Sequence, residues 1–221
     1  MLGFIQILFF FCLSAVVSAA TVESSESIKF RVFLNEDEIG YQQVNLQREG
    51  NRVNTSIDAK LKVKVLFINA YSYTHSAQEV WQDQCLVSIE TNTKENSNTS
   101  FVKGQMALDK FLINSHKGEN ALSGCIRSFA YWDVSRLSET KLLNGETGEH
   151  VDAQLSAKGE TQLMVQDKSV TSEHYVLRAE GADINLYYDL DKNWIGLKTI
   201  VKGGRTLAYY RTPNILAEAK D

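Results

Sequence analysis

The sequence predicts an all-β fold: a single antiparallel meander bent into a strongly curved sheet, half-barrel or barrel, with at most one or two short helices. Three observations predict it. Short runs in which apolar and polar residues alternate with period two follow one another along the chain. Turn-forming residues rather than long connections separate them. No stretch sustains a long helical period; Val134–Leu143, with Leu137 and either Lys141 or Leu142 at helical spacing, is the best short candidate.

The elements follow in order. Ile28, Phe30, Val32 and Leu34 alternate with polar Lys29 and Arg31, and the acidic run after Leu34 turns the chain into Ile39–Arg48. Glu49-Gly50-Asn51 turns it again into the clearest strand. There Val53, Thr55, Ile57, Ala59, Leu61, Val63 and Val65 face one way and Asn54, Ser56, Asp58, Lys60, Lys62 and Lys64 the other. Tyr71–Trp81 and Cys85–Thr93 form a hairpin across Gln82-Asp83-Gln84. Further strands are expected at Phe101–Leu108, Phe111–Ser115, Val151–Ala157, Gln162–Val165, His174–Ala179, Ile184–Asp189, Trp194–Val201 and Thr206–Arg211. Curling such a meander into a barrel resolves its exposed edges, although the alternation alone fits a two-sheet sandwich as well.

At 221 residues, 43% hydrophobic, with a formal charge of −4, the chain has a globular composition and no dense basic patch, so nucleic acid is not an expected partner. The opening MLGFIQILFFFCLSAVVSAA carries no charged side chain, and its apolar run ends in Val17-Ser18-Ala19, as a signal peptide over residues 1–19 would. An uncleaved inner-membrane anchor is the alternative, because the segment lacks Lys and Arg at its start. Phe9, Phe10 and Phe11 before Cys12 do not suit a lipidation box. Export to the periplasm is expected, with 20–221 as one β domain. Cys85 and Cys125 then remain, and an oxidising compartment would join them in a disulfide worth about 3–4 kcal/mol. Two buried free thiols are the alternative.

Enzyme signatures such as G-x-S-x-G, H-E-x-x-H and the phosphate loop are missing, and no cofactor is expected. The four histidines, His75, His116, His150 and His174, fall on separate elements, which disfavours a metal site. Two stretches stand out. In YSYTHSAQEVW, alternation puts Tyr71, Tyr73, His75, Glu79 and Trp81 on one strand face, either around a ligand cavity or projecting outward. His75 and Glu79 would lie about 13 Å apart at their Cα atoms, too far to act as a dyad without a partner strand. In SGCIRSFAYWD, Phe129, Tyr131 and Trp132 cannot share one strand face, so a turn or short helix is expected there. Tethered by Cys125, it would plug one end of the barrel or gate a cavity.

The segments LFINAYSYTHSAQEVWQDQCLVSIET, GCIRSFAYWD, LLNGETGE and VKGGRTLAYYR resemble an uncharacterised family of exported proteobacterial proteins, a domain of unknown function spanning nearly the whole mature chain. The resemblance implies an envelope location and a single β domain, but no mechanism. By architecture the chain is also similar to periplasmic lipoprotein carriers, whose antiparallel sheets are open and curved. The expected function is binding of a lipid or other amphipathic ligand, its chain among apolar rings and its polar end on His75, Glu79 and tyrosine hydroxyls. The protein is expected to be monomeric. The alternatives are a hydrolase acting on envelope material through His75 with Glu79 or Asp83, and an assembly factor offering a sheet edge to an envelope protein.

Overall fold

The computed structural model describes residues 23–65, 68–165 and 168–213. The signal-peptide expectation for residues 1–19, with Cys12, lies outside the described residues. Fourteen antiparallel strands form a single sheet: β1 (Glu23–Leu34), β2 (Asp37–Glu49), β3 (Arg52–Val65), β4 (Ile68–Gln82), β5 (Cys85–Glu95), β6 (Asn98–Ala107), β7 (Lys110–Ser115), β8 (Gly118–Ser123), β9 (Lys141–Leu143), β10 (His150–Val165), β11 (Lys168–Ala179), β12 (Ala182–Tyr188), β13 (Trp194–Val201) and β14 (Arg205–Arg211). The spatial order runs from β8 through β1 to β14 and on to β9. The two ends of the chain's meander thus pair in the middle of the sheet, β1 on β14, while β8 and β9 are its edges, β9 carrying an isolated bridge from Leu143 to Ser128. Among the described residues, no hydrogen-bonded pairing of β8 with β9 closes the sheet.

Alternation dictates the two faces. In the β3–β4 ladder Val53 opposes Trp81, Thr55 Glu79, Ile57 Ala77, Ala59 His75 and Leu61 Tyr73, so these residues share the inner face. Lys60, Lys62 and Lys64 are exposed on the outer one. Bulges at Val32/Phe33, Val63/Lys64, Val80/Trp81, Ala157/Gly159 and Tyr187/Tyr188 add the twist that curls the sheet. Where curling brings backbones close, side chains shrink: a Cβ on Gly104 would lie 2.4 Å from the Phe111 ring.

Three local expectations change. The helix expected over Val134–Leu143 is a single 3-10 turn, Val134–Leu137, capped by Asp133, followed by strand β9. The backbone of Leu143 finds partners in Arg127 and in β10, and Leu137, Leu142 and Leu143 are fully buried without a helix. The two runs Val151–Ala157 and Gln162–Val165 are one strand, β10, because Gly159 (φ 91°) bends at a bulge instead of turning. Strand β8, GENALS, is mostly exposed and has no apolar alternation to betray it.

The segment between β8 and β9 crosses inside the curl. Cys125 is bonded to Cys85 at the start of β5, the Leu86 amide donates to Ile126, and the Tyr188 hydroxyl donates to the Tyr131 carbonyl. Trp81, Trp132, Tyr188 and Trp194 pack around this segment as the main core. The β2–β3, β4–β5 and β6–β7 turns lie at this plugged end. The opposite end carries the β5–β6 and β11–β12 turns and the loop 144–149 between β9 and β10.

Candidate functional site

Between the plug and the loop 144–149 the curled sheet encloses a cavity of about 370 Å³. β4 supplies its spine: Tyr73, His75, Ala77 and Glu79 line it in sequence. The opposite wall is apolar, built from Ile184, Trp194, Leu197 and Leu207, and Phe129 and Tyr131 of the plug form the floor. Five of the eight residues expected around a cavity, Tyr73, His75, Glu79, Phe129 and Tyr131, therefore line it. Trp81 and Trp132 are instead packed core, 0% and 5% exposed, and Tyr71 lies beyond the cavity rim. Periodicity correctly gives Trp81 the inner face, but the plug occupies the space in front of it.

Each polar group of the β4 row is held by a different segment. Glu79, 5% exposed, accepts from the Ser128 hydroxyl of the plug at 2.8 Å and from the Trp81 indole at 3.1 Å. Burial pushes its carboxyl above the ordinary glutamate range, against the pull of these two donors and of the Arg136 charge. His75 Nδ1 lies 2.8 Å from the Thr93 hydroxyl of β5. Burial lowers its pKa, opposed by the Glu146 and Asp58 charges. The Tyr73 hydroxyl donates to Glu146, and burial followed by that carboxylate raises the phenol's pKa. Beyond the rim, Tyr71 is pushed up to about 12 by burial and by Glu95.

The loop 144–149 is the roof. Its Gly145 carbonyl accepts from Thr91, its Asn144 side chain donates to Glu180 at 2.9 Å, and its Glu149 pairs with Lys117 at 2.6 Å across the gap beside β8. Gly148 (φ 77°) packs where a Cβ would meet Ser115 at 2.8 Å. Glu180 sits in the two-residue β11–β12 turn with Gly181, both at positive φ (52° and 78°), which aims it at the mouth.

Below the floor the Arg136 guanidinium is 4.7 Å and 4.8 Å from the Trp81 and Trp132 ring centroids and pairs with Asp133 at 3.0 Å. The two indoles meet edge to face at 5.9 Å. This cluster joins the plug to β4, with Trp81, Trp132 and Arg136 all buried.

The pairing of His75 with a carboxylate is not assembled. His75 contacts Thr93, Glu79 contacts Ser128 and Trp81, and Asp83 accepts from Asn51 in the β4–β5 turn, at the plugged end. Glu146, Glu180, Trp194 and Tyr209 are site residues that sequence reasoning missed. LLNGETGE was recognisable as a motif, but its reach to Tyr73 depends on the curl of the whole sheet. A larger groove, about 800 Å³, crosses the outer side of β4–β8 and is lined mainly by polar residues such as Gln78, Lys103 and Asn114. No group of His, Cys, Asp and Glu among the described residues is placed to hold a metal, and no helix among them is long and apolar enough to cross a membrane.

A family model described as a domain of unknown function, DUF6134, matches residues 30–212. No curated protein matches the sequence. Among solved structures, the chain is similar to a β-barrel-like protein of the domain of unknown function DUF1849 from Brucella abortus. The two share 10% identity at a TM-score of 0.55, with 87% of this chain and 98% of that one covered. At that identity the likeness establishes the fold alone.

Proposed function

We infer the role of this chain, which belongs to the DUF6134 family of unknown function, from its cavity: it is an exported envelope protein that binds a small amphipathic molecule inside its curled sheet. The observation that carries this reading is the two-sided cavity. One wall is apolar, and the other is a row of hydrogen-bonding groups fixed by the plug, β5 and the roof loop. A filled barrel has no need of such a row, since each buried polar group costs desolvation and must find a partner. The volume, about 370 Å³, falls near the lower end of the range for small-molecule sites, roughly 300–1,000 Å³. It suits a polar head with a single short chain rather than a two-chain lipid. Export accords with the disulfide and with the apolar leader.

Native mass spectrometry of protein purified from the bacterial envelope, and of purified protein titrated with single-chain amphiphiles, tests the reading. Wild type is expected to carry or take up one molecule. Ala77→Phe, which places a ring in the cavity from a residue that lines it, is expected to fold and to bind none. Equal uptake by both proteins would sink the cavity as the binding site.

A further inference from the structure

The cavity has a charge pattern that narrows the ligand class, an inference that rests on the binding reading above. Three carboxylates line it: Glu79 at the floor and Glu146 and Glu180 at the mouth. No Lys or Arg side chain lines it among the described residues. Aromatic rings line it too, among them Tyr73, Phe129, Tyr131 and Trp194, and the π face of such a ring attracts cations.

Glu79 points independently to a ligand. It is 5% exposed and lines the cavity, but both its hydrogen bonds come from neutral donors, Ser128 and Trp81. No cation lies within 4.0 Å of it among the described residues, and Arg136, which acts on it through space, is itself paired with Asp133. A buried carboxyl without a counter-ion is costly to ionise, and a cation arriving in the cavity would relieve that cost. An anionic head would meet the opposite situation. His75 is the one imidazole that lines the cavity, and burial lowers its pKa, which favours the neutral ring.

We propose that the cavity selects amphiphiles with a cationic head group, an amine or a quaternary ammonium, over anionic ones. The head seats between Glu79 and the aromatic floor, and the apolar chain lies along Ile184, Leu197 and Leu207. Glu146 and Glu180 attract the cation at the mouth.

Calorimetric titration of the full mature protein with octyltrimethylammonium, octanoate and octan-1-ol at neutral pH tests this, because the three share one chain and differ in head charge. Octyltrimethylammonium is expected to bind about tenfold tighter than octanoate, a difference of roughly 1.4 kcal/mol. Glu79→Gln is expected to cancel most of that preference. Glu180→Gln, at an exposed position where the amide oxygen can still accept from Asn144, is expected to reduce the preference by a smaller factor. Octanoate binding as tightly as the cation, or an unchanged preference in both variants, would overturn the selectivity while leaving a binding cavity intact. Failure of all three probes to bind wild type would remove the binding reading itself, and the selectivity with it.

Discussion

Trp81 and His75 point to the same side of the same strand, yet they belong to different regions of the molecule. At the plugged end Trp81 is sealed, with the Trp132 ring meeting it edge to face and the Arg136 guanidinium over its ring. Toward the other end His75 borders open space, and its ring hydrogen-bonds to Thr93 on the next strand. The difference is made by what a distant segment brings. The plug fills the space in front of Trp81, whereas the roof loop 144–149 spans the space above His75 and leaves it hollow. A single strand can thus supply packing energy at one end and a cavity wall at the other.

The sharpest way to break this comparison is to truncate the sealed end. Trp81→Ala is expected to cost about 3–5 kcal/mol, the range for deleting a large buried aromatic, measured by chemical denaturation. A loss below about 1 kcal/mol would mean that the plugged end is as hollow as the other. Replacing both Cys85 and Cys125 by serine releases the plug from β5. With 40 residues of sequence separation, the chain-entropy model puts the loss at about 4 kcal/mol, which reducing and non-reducing melts would check. Unchanged melting under the two conditions would show that packing alone holds the plug.

A smaller effect sharpens the boundary between the two regions. Burial raises the Glu79 carboxyl above its usual 4.5, so the folded state holds that proton more tightly than the unfolded chain. Stability from this group is then greatest below the ordinary glutamate value and falls as pH rises through it toward the folded value. Glu79→Gln, which mimics the protonated acid, is expected to match wild type in acid and to gain on it as pH rises. Parallel stability curves for the two proteins would place Glu79 in water rather than between plug and cavity. The smallest effect belongs to the outer face. Lys62→Ala is expected to change stability by less than about 0.5 kcal/mol, because its side chain is exposed and makes no ion pair among the described residues.

Much of the fold was legible because a strand's period of two is a local property. Leu61, Val63 and their neighbours had to share a face, Lys60, Lys62 and Lys64 had to take the other, and the ladder from β3 to β4 keeps that arrangement. The aromatic run Phe129–Trp132 could not be a one-faced strand, and it is the plug. What misled was also local: the helical spacing of Leu137 and Leu142 suggested a helix where a 3-10 turn and a strand bury both residues separately. β8 went unseen because an exposed edge strand needs no apolar face.

By itself, then, the sequence determined the strands, their inner and outer faces, the meander and the cysteine pair available for bonding, since alternation and turn chemistry act over neighbouring residues. Only the tertiary structure decided which inner residues are core and which are site. That Glu146 and Glu180, far along the chain, would stand over Tyr73 and Glu79 depends on how far the sheet curls, and the curl is the accumulated result of twist and bulges over all fourteen strands. No short stretch encodes that sum, so the cavity and its acidic lining exist only once the whole sheet has bent around the plug.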